Sequence, residues 1–225
     1  MTMMRSRGGN VLSVLFSAAI MTGCARAAAA PPPEPELMKV KHGDVEAIAR
    51  ARADSSRIPY TAADVHFMSG MISHHAQAIA MARMAYTHGA SSSVKTLAGR
   101  VINAQADEIV IMQQWLADRQ QPVPEPDPAG MKMNMGGMSH VMLMPGMLSE
   151  AQMKQLSAAR GKEFDRLFLT LMIQHHSGAV QMVQELFATH ASGQNEIVFK
   201  FASDVNTDQT TEIARMEKML EALKP

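Results

Sequence analysis

Asp64-Val65-His66-Phe67-Met68-Ser69-Gly70-Met71-Ile72-Ser73-His74-His75 aligns without a gap on Asp165-Arg166-Leu167-Phe168-Leu169-Thr170-Leu171-Met172-Ile173-Gln174-His175-His176. Asp, Phe, Met, Ile and the closing His-His coincide, so the chain carries an internal repeat, and a repeat decides the architecture before any single helix does. Ala78 and Met81 match Ala179 and Met182 further on. After a small insertion, Gln105, Glu108, Ile109 and Met112 match Gln209, Glu212, Ile213 and Met216. Each half reads as a helical hairpin.

Cap residues set the boundaries. Thr61 to Asp64 resembles a capping box and Gly89 sits where a helix C-cap falls, which predicts a helix over about 62–88. Ser91 to Ser93 can start a second helix, which Pro122, Pro124, Pro126 and Pro128 stop beyond about residue 118. Ser149 to Gln152 opens a short helix that Gly161 interrupts, a long helix follows to about His190, and Asn195 begins the last, ending near Leu223. A short helix is expected over about 44–55. The fold expected is all-α: a four-helix bundle of two duplicated antiparallel hairpins, residues 44–120 and 149–225, joined by a Pro- and Met-rich linker, 121–148, in one duplicated domain over 44–225.

Composition limits the chemistry. The 225 residues carry 21 basic and 21 acidic side chains, so no overall field draws the molecule to nucleic acid. There are 22 methionines and 9 histidines beside one cysteine and 4% aromatic residues. Any cofactor chemistry is therefore thioether and imidazole. At the N-terminus Arg5 and Arg7 precede the apolar run Val11 to Ile20, too short to span a bilayer, and residues 1–23 read as an export signal. Met21-Thr22-Gly23-Cys24 resembles a lipobox that would put lipid on Cys24, whereas Ala25-Arg26-Ala27 suits ordinary signal cleavage. Either way the protein is exported, periplasmic or membrane-anchored, with residues 24–43 as an extended tether.

The repeat places the unusual residues on helix faces. Met71 shares a surface with His74 or His75, and Met172 with His175 or His176. The partner helix embeds Gln105 and Glu108 in its apolar stripe before Met112, and antiparallel register sets Glu108 level with His74, Met112 level with Met71, Glu212 beside His175 and Met216 beside Leu169. Each half is thus expected to present its own layer of methionine, two histidines and a glutamate. Glu108, Glu212, Gln105 and Gln209 are expected to orient the imidazoles; the glutamates could equally be direct ligands. The plain alternative is a packed core whose histidines are satisfied by the glutamates and whose methionines fill gaps. Asp64 and Asp165 lie ten residues before the first histidine, about 15 Å along the axis, so they are expected to stabilise helix N-termini instead of sharing a metal.

Met131-Lys132-Met133-Asn134-Met135-Gly136-Gly137-Met138-Ser139-His140-Val141-Met142-Leu143-Met144-Pro145-Gly146-Met147 holds seven methionines and a histidine in seventeen residues. It is read as a flexible segment without helical or strand periodicity, able to wrap sulfurs around an ion. Neutral thioether selects Cu(I) and imidazole serves either copper oxidation state, whereas zinc or calcium wants thiolate or oxygen. Copper, with Cu(I) favoured, is the expected ion, bound by Met131, Met133, Met135, Met138, His140, Met142, Met144 and Met147 in the linker and by Met71, His74, His75, Met112, Met172, His175, His176 and Met216 in the bundle.

The doubled Asp-x-x-Phe-x-x-x-Met-Ile-x-His-His, with Gln105-x-x-Glu108-Ile109-x-x-Met112 and Gly146-Met147-Leu148-Ser149, resembles the exported bacterial family known as domain of unknown function 305. The resemblance covers about residues 60–223. It implies a ferritin-like helical bundle, and some members of the family act as extracytoplasmic copper-binding proteins. The expected function is copper sequestration or carriage without turnover. A metal-free envelope interaction module is the alternative. A di-metal oxidase fits less well, because its Glu-x-x-His pairs are missing from the sequence. The protein that gives or takes the metal is not named by the sequence.

Overall fold

The computed structural model describes residues 42–56, 58–135 and 138–224. The expected export signal, Cys24 and the tether up to residue 41 lie outside the described residues. The order of elements is α1 (His42–Ser56), α2 (Ala62–Met84), α3 (Ser92–Asp118), β1 (Met131–Met135), β2 (Met138–Met142), α4 (Glu150–Ala158), α5 (Gly161–Ala188) and α6 (Glu196–Glu221). The molecule is mostly helical.

The starts are set by the side chains the sequence points to. Thr61 accepts from the Asp64 amide while Asp64 reaches back to the Thr61 amide, and Ser149 with Gln152 repeats the capping box at α4. Ser91 caps α3 and Asn195 caps α6. α2 stops at Met84, short of Gly89, and the chain turns through residues 85–89 with Gly89 at φ +70.

α2 packs against α3, α5 against α6, and α2 against α5. α2 and α5 run antiparallel: Asp64, at the start of α2, accepts a bond from the Gly193 amide beyond the end of α5 (2.7 Å), and Asp165, early in α5, accepts from the Ser91 amide beyond α2 (3.1 and 3.2 Å). Asp64 and Asp165 are thus more than dipole partners. Each clasps the inter-helix loop of the opposite half.

This arrangement divides the interior into two apolar clusters. One joins Phe67, Met71 and Ile72 of α2 to Met112 and Trp115 of α3 and to the ends of α5 and α6 facing them. The other joins Ala78 and Met81 to Val94 and Leu97 of α3, Phe164, Phe168 and Met172 of α5, and Met216 of α6. At roughly 1.5–3 kcal/mol per buried large apolar side chain, these clusters dominate the folding free energy. Between them, at mid-helix, sit the four histidines of the repeat.

The linker differs from the expectation of an unstructured segment. Met131 pairs with Met142, Lys132 with Val141, Met133 with His140, Asn134 with Ser139 and Met135 with Met138 in an antiparallel hairpin. Met131, Met133 and Met135 on one strand, and Met138, His140 and Met142 on the other, recur at every second residue, which is a strand period. Met131, Met133, Met135, Met138, His140 and Met142 therefore occupy positions on one face of the ladder. Met131 and Met142 pack against the first apolar cluster.

Candidate metal centre

His74, His75, His175 and His176 are fully buried. The His74 and His175 rings lie 3.8 Å apart between centroids, so the two halves share one layer and do not build the two separate layers expected. The reason lies in α2, whose buried residues run from Phe67 to Ala82 on every side. A helix apolar all round is enclosed on all faces and so has two working faces, one toward α5 and one toward α3.

The same fact shifts the glutamates by one residue. Glu108 meets His75, not His74, with Nε2 to Oε2 at 2.7 Å; Glu212 meets His176, not His175, also at 2.7 Å. The second contact is a hydrogen bond, whereas His75 has the distance without the alignment. On the far side of the layer His74 Nε2 donates to the Pro145 carbonyl at 3.0 Å. His175 has no partner on either ring nitrogen.

One regularity emerges from these bonds. All four Nδ1 atoms are buried without a hydrogen-bond partner. A carbonyl or carboxylate accepts only, so His74 and His176, which give their Nε2–H to one, keep a lone pair on Nδ1 when neutral, the electronic form a metal requires. Burial pushes His74 down to about 3, with the nearby His75 adding to the effect. Burial, then His74 and His176, hold His175 well below its ordinary 6.5. Both rings are therefore neutral at pH 7.

Methionines flank the layer on both sides. Met71 and Met112 belong to the first apolar cluster, Met172 and Met216 to the second, and all four are fully buried. Met144 and Met147 are buried in the first cluster as well. They belong to a strap, Met144 to Leu148, lying across α2 and α5. A Cβ on Gly70 would strike the Met144 side chain, and one on Gly178 would collide with Pro145 and Gly146. Gln77 anchors the strap by exchanging hydrogen bonds with Leu148, at 2.6 Å from its amide and 3.1 Å to its carbonyl. The end of the methionine-rich stretch closes over His74 through contacts between residues far apart in the chain. Two mid-helix glycines, each costing about 1 kcal/mol, were the available signal.

Gln105 and Gln209 do not hold the imidazoles as expected. Both are buried, both amide atoms of Gln105 and the Oε1 of Gln209 lack partners, and both line a cleft between α3 and α6. Among the described residues no three His, Cys, Asp or Glu form a preassembled metal cage. Neutral nitrogen and thioether sulfur are the donors in the layer and beside it, a set suited to copper.

A family model described as a domain of unknown function, DUF305, matches residues 64–220. The chain belongs to the DUF305 family. A secreted DUF305 protein from Streptomyces coelicolor is similar at 30% identity, over 72% of this chain and 93% of that one, with a TM-score of 0.58. A DUF305 fragment from Deinococcus radiodurans is similar at 30% identity, over 73% and 99%, with a TM-score of 0.59. CopM in its Cu(I)-bound form is similar at 27% identity, over 74% and 100%, with a TM-score of 0.54; CopM is also known in Cu(II)-bound and Ag-bound forms. No curated protein matches the chain.

Proposed function

We propose that this DUF305 protein is an exported copper-binding protein that sequesters or carries the ion, Cu(I) above all, and performs no turnover. The observation that carries the reading is the set of four buried, unpaired Nδ1 atoms at the centre of the bundle, with methionines in the clusters on both sides. An unpartnered buried polar atom costs about 1–3 kcal/mol, and four in one layer are costly unless something binds them. The likeness to CopM, which binds Cu(I), Cu(II) and silver, supports the same ion. His74, His75, His175 and His176 would hold it, with Met71, Met112, Met172 and Met216 as the thioether donors at hand. Glu108 and Glu212 would aim the imidazoles through Nε2.

The hairpin is a second binding place, with Met131, Met133, Met135, Met138, His140 and Met142 at positions on one face of its ladder. Export rests on residues 1–23 and on the secreted relative; a lipid on Cys24 would keep the protein at the membrane. Cu(I) titration of the mature chain against a competing chelator tests the whole reading. Replacing residues 131–142 by a short glycine-serine bridge should remove binding equivalents and leave helical circular dichroism intact. His74→Ala with His175→Ala should remove the tightest equivalent. A wild-type chain that takes no Cu(I) from the chelator overturns the function.

A further inference from the structure

Ions bound among buried histidines must reach them, and the layer has two flanks. On the flank of His74 the strap is closed: the Pro145 carbonyl occupies Nε2, and Gly146 rests on Gly178. A hollow of about 170 Å³ there touches His66, Phe67, Met144 and Met182. The flank of His75 and His176 is different. A cleft of about 200 Å³ runs between α3 and α6, lined in part by Gln105, Gln209, Glu108, Glu212 and Asp208. Glu108 and Glu212 are the two carboxylates that touch His75 and His176, and their side chains keep 17% and 22% of their surface in solvent. They therefore bridge water and the buried layer.

Two independent features mark this cleft as more than a gap. Gln105, 2% exposed, has both amide atoms unpartnered, and Gln209, 4% exposed, has a free carbonyl oxygen. Polar side chains on α3 and α6 at these depths would be replaced by apolar ones in a merely structural groove, since burial without a partner is unfavourable. In addition Asp208 is raised above its ordinary value, by burial first and then by the negative charges of Glu108, Asp204 and Glu212. In its lining three carboxylates, Glu108, Asp208 and Glu212, stand against two guanidiniums, Arg100 and Arg215.

We propose that the cleft between α3 and α6 is the passage by which copper enters and leaves the histidine layer, resting on the copper-binding reading above. Asp208 draws the cation in, and the Gln105 and Gln209 carbonyl oxygens replace part of its water. The carboxylates of Glu108 and Glu212, which touch His75 and His176, pass it to the layer. No redox step is involved; water is exchanged for protein oxygen and then for nitrogen. The strap flank is capped by the Pro145 carbonyl on His74 and by Gly146 on Gly178, and among the described residues no carboxylate there joins solvent to a ring, so it offers no equivalent route.

A residue on a route changes the rates of binding and release by the same factor and leaves Kd alone, whereas a ligand changes Kd. The probe is anaerobic Cu(I) supplied to the full mature chain as its cationic acetonitrile complex, with release read by transfer to bicinchoninate. The phase belonging to the layer is the one that disappears in His175→Leu. Gln105→Leu with Gln209→Leu keeps the volume and removes unpaired polar atoms, so the fold survives. Loading and release should both slow, with Kd unchanged. Asp208→Lys should cut the loading rate by about tenfold at low salt and flatten its salt dependence. Unchanged rates in both variants, a change in Kd with the glutamine pair, or slower layer loading only in Met144→Leu would each overturn the passage. A wild-type chain with no layer phase at all would instead sink the function it rests on.

Discussion

His175 is buried with neither ring nitrogen in an aligned hydrogen bond. A leucine of similar volume would remove the unpaired atoms and add apolar contact with the facing ring of His74. His175→Leu is therefore expected to leave the metal-free protein as stable as wild type or about 1 kcal/mol more so, while weakening Cu(I) binding. Thermal unfolding of both forms with and without Cu(I) checks this, and a variant that unfolds easily while binding normally would show that the ring is structural. His75 and His176 stand apart in having carboxylates at Nε2, so their substitution also strands Glu108 or Glu212 at the cleft.

At the level of elements, the strap depends on two places where helices lack a side chain. Gly178→Ala puts a methyl group into the backbone of Pro145 and Gly146, which cannot give way as a flexible side chain would. A loss of about 1–3 kcal/mol is expected from chemical denaturation, together with faster proteolysis between Met144 and Leu148. Most elements were legible beforehand because their caps are local: Thr61 with Asp64, Ser149 with Gln152, and Asn195 all act within three residues of themselves. The hairpin's period is present in Met131, Met133 and Met135 and in Met138, His140 and Met142, although glycine and proline around it also suit a flexible segment. The pairing of Glu108 with His75 was not legible, because α2 is apolar on all sides and its sequence does not say which buried face meets which neighbour. The strap was hidden for a related reason: its bonds join residues 71 positions apart, such as Gln77 and Leu148.

For the whole molecule, burial of the histidine layer ties stability to acidity. His74 stays neutral in the folded protein until pH falls to about 3, whereas the same ring protonates near 6.5 when the chain is unfolded. Between those values the unfolded chain binds more protons, so stability decreases as pH drops through that window and is flat with respect to this group above it. Urea unfolding of the metal-free chain at pH 7.5, 5.5 and 4.5 should give falling midpoints, with a shallower decline in His74→Leu. Midpoints that hold steady to pH 4.5 would mean that the layer is hydrated and not sealed.

The crossed clasps of Asp64 on Gly193 and Asp165 on Ser91 carry a consequence for assembly. Each hairpin's bend is fastened in part by its sibling. If the polypeptide were cut within the hairpin linker and the two pieces made separately, each would keep a frayed corner until it found the other. Joining them would fasten both corners and complete the ring of imidazoles in the same event.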